Sequence, residues 1–273
     1  MHAQGCPLRR PRIVFPAVWT MSVAVAAAGC GFGPLPGRAT EEWTRTYPLS
    51  AGGEVRIGNT NGKVEIEGVD GTTVEVHAEK IARAATDEGA RQLLPHVTIT
   101  EDIKPDRVSI ETGKMSGIMI GARYEVDYHV KAPKTAVVTA RTTNGVVTLN
   151  GLAGKVVART TNGGVRATDI RGPVDASSTN GGVNVDLAAL NGDRIALSTT
   201  NGAVTLNVPE TAKADVVATW TNGGMSVNGL NLDVSERSRR RFEGKLNGGG
   251  TPIELHTTNG GIRLRARDTE TQK

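Results

Sequence analysis

The sequence predicts an all-β chain wound as a β-solenoid, parallel β-helix-like, with coils of about 18–21 residues and one lateral insertion. Three observations carry that expectation. A Thr-Asn-Gly phrase recurs seven times, at Asn61, Asn144, Asn162, Asn180, Asn201, Asn222 and Asn259. Apolar residues stand two apart on either side of each copy, the period of a strand with one buried face. The copies from Asn144 to Asn222 follow one another at 18 or 21 residues, a plausible length for one coil.

The first element is a leader. Arg9, Arg10 and Arg12 precede an apolar run from Ile13 to Ala28, which ends Ala27-Ala28-Gly29-Cys30. This resembles a bacterial lipoprotein signal peptide, with residues 1–29 removed and Cys30 acylated. The run is short for a spanning helix, which needs about 20 residues. Cys6 leaves with the leader, so the remaining chain has a single thiol and no internal disulfide. Two or more acyl chains anchor stably at about 0.8 kcal/mol per buried methylene. Residues 30–40 contain Gly31, Gly33, Pro34, Pro36 and Gly37 and read as a flexible tether.

Removing the leader also changes the charge. The full chain carries a formal +4, and losing three arginines leaves 29 basic against 28 acidic residues. A near-neutral chain lacks the basic stripe that binds phosphate backbones, so no nucleic-acid partner is expected. Only Phe32, Trp43, Tyr47, Tyr124, Tyr128, Trp220 and Phe242 remain as aromatics, too few for a stacking platform.

Residues 41–267 form the repeat domain. Six residues before each asparagine stand Val55, Val138, Val156, Val174, Ile195, Val216 and Ile253; four before stand Ile57, Ala140, Ala158, Ala176, Leu197, Ala218 and Leu255. Three after come Val64, Val147, Val165, Val183, Val204, Met225 and Ile262, and five after come Ile66, Leu149, Ala167, Val185, Leu206, Val227 and Leu264. Each repeat is thus two short strands meeting at a corner. Asn-Gly between alternating runs is also the signal of a type I′ hairpin. The hairpin gives no reason for a threonine before every asparagine. In a solenoid Thr143, Asn144, Thr161, Asn162, Thr179, Asn180, Thr200, Asn201, Thr221, Asn222, Thr258 and Asn259 stack as a ladder, which favours the coil.

Two gaps interrupt the rhythm. Between Asn61 and Asn144 the sequence predicts a short helix near Asp87 to Leu94 and strands around 97–100, 108–112 and 124–130, with a turn at Lys104-Pro105-Asp106. This stretch reads as degenerate coils and a lateral excursion. Between Asn222 and Asn259, the arginine-rich run Ser235 to Arg241 and Gly248-Gly249-Gly250 read as a loop bulging from one coil. Residues 268–273 are a polar tail.

The corner phrase, as in Thr161-Asn162-Gly163-Gly164-Val165 and Thr258-Asn259-Gly260-Gly261-Ile262, behind such a leader, resembles the bacterial envelope family called putative adhesins. It is similar also to head domains of autotransporter adhesins. The resemblance implies a β-solenoid displayed in the envelope, without established enzyme activity.

Few residues outside the repeat pattern point to chemistry. Glu65 and Glu67, Asp175 and Asp186 form no acidic column, whereas glycoside hydrolysis needs two acids across one bond. His77, His96, His129 and His256 share no ligand spacing, so no metal or other cofactor is expected. Trp220 fills a slot held by Thr or Ser in other copies and is a candidate partner contact together with Arg239, Arg240 and Arg241. The expected function is that of a lipid-anchored, non-catalytic envelope protein, periplasmic or surface-exposed, acting as an adhesion, scaffold or envelope-sensing module. Besides the membrane held through Cys30, its expected partners are cell-wall polysaccharide or envelope protein, met by an outward stripe including Asn150, Asn184, Asn207 and Asn228. A carbohydrate-active β-helix enzyme is the alternative, and end-to-end stacking of copies depends on how the terminal coils are capped.

Overall fold

The computed structural model describes residues 35–113, 121–191 and 193–267; the leader, Cys30 and the 268–273 tail lie outside them. The chain opens with β1 (Gly37–Pro48), β2 (Glu54–Gly58), β3 (Val64–Val69) and β4 (Thr73–Ala84). A seven-residue helix α1 (Asp87–Leu93) follows, capped by the Thr86 hydroxyl, which accepts from Gly89 N, with Asp87 and Glu88 suiting the positive end of its dipole. Then come β5 (Ile99–Lys104), β6 (Arg107–Thr112) and β7 (Arg123–Pro133). The regular repeats give β8 (Val137–Asn144), β9 (Val147–Asn150), β10 (Val156–Asn162), β11 (Val165–Ile170), β12 (Val174–Asn180), β13 (Val183–Leu187), β14 (Ile195–Asn201) and β15 (Val204–Val208). The chain closes with β16 (Ala214–Asn228), β17 (Leu232–Arg237), β18 (Arg241–Leu246) and β19 (Thr251–Ala266).

These strands build a solenoid. Before the corner, β6, β2, β8, β10, β12, β14, β19 and β16 pair in parallel in that spatial order. After the corner, β7, β3, β9, β11, β13 and β15 follow the same order, joined by the second halves of β19 and β16. The register is that of the sequence repeat: Val156 lies between Val138 and Val174, and Ala158 between Ala140 and Ala176. The four apolar columns therefore fill one continuous core between the two sheet faces. A single coil could not exclude water from its own side chains, so the stack supplies what each coil lacks.

The spatial order is not the chain order at either end. The β2/β3 coil lies between β6/β7 and β8/β9, and β19 lies between β14/β15 and β16. Both terminal repeats are thus tucked one layer inside the stack, with partners on both edges. Antiparallel strands cover the ends: β5 on β6, β4 on β7 with β1 beyond it, and β18 on the first half of β16 with β17 beyond it. A small second cluster, with Ala39, Ala82, Ala84, Ala90, Leu93 and Leu94, seats α1 on β1 and β4.

Three expectations change. The stretch from Asn222 to Asn259 is not a bulging loop but a capping hairpin and a return strand, because the outer edge of β16 needs partners for its ladder groups. The chain accordingly makes two excursions, one at each end, rather than one. Gly37–Thr40, read from the sequence as part of a tether, are the first residues of β1 and pair with Ala84–Ile81. One predicted strand also moves, from 97–100 to Ile99–Lys104.

Candidate functional site: two corner ladders and two grooves

At each corner the asparagine side chains point along the stack and bond head to tail. Asn144 Nδ2 donates to Asn61 Oδ1 at 2.7 Å, Asn162 to Asn144 at 2.7 Å, Asn180 to Asn162 at 2.9 Å and Asn201 to Asn180 at 2.9 Å. Asn259 then donates to Asn201 at 2.9 Å and Asn222 to Asn259 at 2.8 Å, following the spatial order. All six bonds run in one direction, so the amide dipoles add and polarise one another. Each interior amide keeps a second N–H and a second lone pair for a ligand.

The threonines directly before the asparagines behave differently. Thr143, Thr161, Thr179, Thr200 and Thr221 are exposed and Thr258 is half-buried, and their side chains make no hydrogen bond among the described residues. The ladder-forming hydroxyl belongs to the residue one place earlier. Thr142 donates to Gly62 O, Thr160 to Gly145 O, Ser178 to Gly163 O, Thr199 to Gly181 O and Thr257 to Gly202 O, at 2.7–3.2 Å. In the regular repeats these glycine carbonyls turn at the corner, where the strand ladder brings them no amide donor, and the next coil's hydroxyl takes its place.

The same column explains every buried polar side chain among the described residues: Asn59, Thr112, Thr142, Thr160, Ser178, Thr199 and Thr257. At its β6 end Thr112 donates to Asn59 Oδ1 at 3.0 Å and meets the Tyr128 hydroxyl at 2.8 Å, while Asn59 Nδ2 donates to Val126 O. Burial pushes the Tyr128 phenol up to about 12, against a smaller lowering by the Thr112 bond. At the β16 end the column closes on Trp220, which is 9% exposed.

The glycine of the phrase is required by close approach. A Cβ on Gly163 would sit 2.0 Å from the Gly145 carbonyl oxygen, at a φ of +151°. Only a residue without a side chain lets the coils close to ladder distance there.

Two grooves of similar volume lie outside the corners. One, of about 510 Å³, crosses the outer surface of β9, β3, β7, β4 and β1. There the register lines up Thr148, Glu65, His129, His77 and Thr44. His129 Nδ1 meets Glu65 at 2.8 Å, Thr44 Oγ1 meets His77 Nδ1 at 2.9 Å, and the two rings are 6.4 Å apart. Lys63 also holds Glu65 at 3.3 Å, and Lys131 holds Glu75 at 3.8 Å. Sequence spacing could not find this row, because its members come from five strands, and His77 and Thr44 join it through antiparallel pairings that follow no repeat. It brings two histidines together, yet among the described residues no three potential ligands cluster for a metal. Asn150 edges this groove, while Asn184, Asn207 and Asn228 lie along other coils.

The second groove, of about 520 Å³, lies at the β16 end between the second half of β16 and the β17–β18 turn. Trp220, Phe242, Met225, Val227, Arg237 and Arg239 line it. Of the arginines singled out with Trp220, only Arg239 shares this groove with it. Arg240 accepts the Trp220 backbone N–H through its carbonyl, and Arg241 is ion-paired to Glu243 and Glu236.

Among the described residues no helix is long and apolar enough to cross a membrane. No curated protein matches the chain. Solved structures similar to it include a putative cell adhesion protein from Clostridium sporogenes, at 11% identity and a TM-score of 0.45, covering 84% of this chain and 100% of that one. A putative adhesin from Bacteroides fragilis is similar at 10% identity and a TM-score of 0.34, covering 83% and 97%. A putative lipid binding protein from Parabacteroides distasonis is similar at 8% identity and a TM-score of 0.27, covering 85% and 98%. The family model described as Toastrack DUF4097 matches residues 98–265, more than half of the sequence, and the chain belongs to that family.

Proposed function

We propose that the protein is a non-catalytic binding module of the bacterial envelope, anchored by lipid on Cys30, that presents ordered polar columns to cell-wall polysaccharide or to an envelope protein. The observation that carries this reading is the asparagine ladder. Six bonds fix seven amides in one orientation along the stack, so their remaining donors and acceptors are already ordered before a ligand arrives. Repeated hydroxyl-bearing ligands suit such an array through many modest hydrogen bonds. The leader pattern before Cys30 supports the anchor. The alternative of a carbohydrate-active enzyme is less well supported, because Glu65 and Glu75 in the first groove are engaged by His129, Lys63 and Lys131, which leaves Glu67 without a second unengaged acid to flank a bond.

The test is co-sedimentation of the detergent-solubilised full chain with purified cell-wall polysaccharide. The wild type is expected to sediment with it, and Asn162→Ala/Asn180→Ala to do so several-fold less while keeping a cooperative thermal transition. No co-sedimentation with polysaccharide and no capture by envelope proteins removes the binding reading. Separately, Cys30→Ser is expected to move the chain out of the membrane fraction, and unchanged membrane association contradicts the lipid anchor.

A further inference from the structure

The second half of β16, Gly223–Asn228, is a strand edge left open at the end of the stack. On one side it pairs with Gly260–Arg265 of β19; on the other, no strand pairs with it among the described residues, since β18 covers only Ala214–Thr219. Which backbone groups are free follows from the interior coils. There the first and third residues after the asparagine donate to the next coil, as Gly145 N does to Asn162 O and Val147 N to Gly164 O. In β16 the equivalent residues are Gly223 and Met225, and by strand alternation Val227, so their N–H and C=O groups face the open side.

This edge differs from the other free strand edges among the described residues. β1 carries Arg38, Glu41, Glu42 and Arg45, β5 carries Glu101, Asp102 and Lys104, and β17 carries Asp233, Glu236 and Arg237. Such charges block edge-to-edge pairing. Gly223–Asn228 carries none. Its core positions are uncovered too: Met225 and Val227 remain half-buried, whereas their counterparts in every coil bearing the corner phrase are at most 2% exposed. Beside the edge, Arg237 and Arg239 line the groove and make no ion pair among the described residues.

We propose that this edge is a strand-addition site for an extended segment of a partner protein, with apolar residues at alternate positions and acidic residues between them. Such a segment becomes one more rung. Its backbone pairs with Gly223, Met225 and Val227, its apolar side chains cover Met225, Val227 and Trp220, and its carboxylates meet Arg237 and Arg239. A second copy of the chain using the same edge would bring two clusters of unpaired arginines together, which the charge disfavours. The site is separate from the asparagine column and does not rest on polysaccharide binding.

The test is isothermal titration of the detergent-solubilised full chain with a blocked peptide, Thr-Asn-Gly-Glu-Val-Glu-Val-Glu, and with its counterpart bearing lysine for every glutamate. The acidic peptide is expected to bind saturably and at least ten-fold more tightly than the basic one. Met225→Pro, which removes an outward N–H at an edge where proline is tolerated, is expected to abolish binding without lowering the melting temperature by more than a few degrees. Arg237→Glu/Arg239→Glu is expected to reverse the preference, a result that loss of folding cannot produce. Absence of binding to either peptide, equal binding of both, or full binding by a folded Met225→Pro variant overturns the proposal. Dimerisation of the wild type that blocks the acidic peptide and is lost in Met225→Pro assigns the edge to a second copy and overturns the partner named here.

Discussion

Thr160 Oγ1 donates to the Gly145 carbonyl oxygen at 2.9 Å, one coil across, and this bond closes a gap that the parallel ladder leaves at the corners of the regular repeats. The strand before the corner and the strand after it present their backbone groups in opposite phase. Between them one carbonyl per regular repeat lacks an amide donor, and a buried acceptor without a donor is costly. The repeat therefore needs a short hydroxyl side chain two residues before the asparagine.

Thr160→Val removes that donor at nearly constant volume. It is expected to cost about 1–2 kcal/mol, a fall of about 2–8 °C in melting temperature for a domain of this size. Thr161→Val, at the exposed neighbour, is expected to change stability by less than about 0.5 kcal/mol. Thermal melts of the two variants check this, and equal losses contradict the assignment of the column.

Gly163→Ala places a methyl group 2.0 Å from the Gly145 oxygen in a backbone region that alanine avoids. The expected loss is about 3 kcal/mol or more. Gly164→Ala, whose nearest neighbour would be Gly182 O at 3.1 Å, is expected to cost markedly less. Denaturant titration of both variants measures the difference.

Burying a carboxylate in the shared core breaks the array rather than one coil. Val165 is flanked in register by Val147 and Val183 and is nearly inaccessible to water. Val165→Asp is expected to abolish the cooperative thermal transition, because an unpaired buried charge costs several kcal/mol. Retention of a wild-type melt contradicts a continuous core.

Alkaline stability follows from Tyr128. Its phenol is raised from 10.0 in the unfolded chain to about 12 in the fold, chiefly by burial, so the folded state favours the protonated form. The stability linked to this group is complete below pH 10 and is lost as pH rises from 10 to about 12. Tyr47, raised by burial and by its bond to Glu101, acts in the same direction. Tyr128→Phe is expected to flatten the decline of melting temperature over that window, and an unchanged slope contradicts the role given to Tyr128.

Much of this architecture is legible in the sequence, for a specific reason. Val156 and Val174 are neighbours in space because each coil repeats the last, so aligning the copies also aligns the registers. The asparagine ladder is readable for the same reason. The threonine beside it misleads: Thr161 is the more constant position, but Thr160 faces inward and makes the bond, and only knowing which face each residue takes separates them. The ends are less legible. Nothing local places Ile253 between Ile195 and Val216, because inserting the last strand one layer inside depends on how the whole edge is covered. The row of Glu65, His129, His77 and Thr44 is hidden likewise, since β7, β4 and β1 lack the corner phrase and leave no repeat to align.

The coils stack in the order 61, 144, 162, 180, 201, 259, 222 of their asparagines, with the last repeat tucked beneath β16. Oxidative cross-linking in a Cys6→Ser background tests this order most directly, using outward positions away from the ladder. Thr205 pairs in register with Arg263, and Ser226 lies beyond it on the next rung. Adjacent parallel strands are about 4.8 Å apart, within disulfide reach, and strands two rungs apart are about 10 Å apart, beyond it. Thr205→Cys/Arg263→Cys is expected to form an intramolecular disulfide readily, and Thr205→Cys/Ser226→Cys to remain reduced; the opposite outcome would mean that the coils follow chain order and that β19 is not inserted.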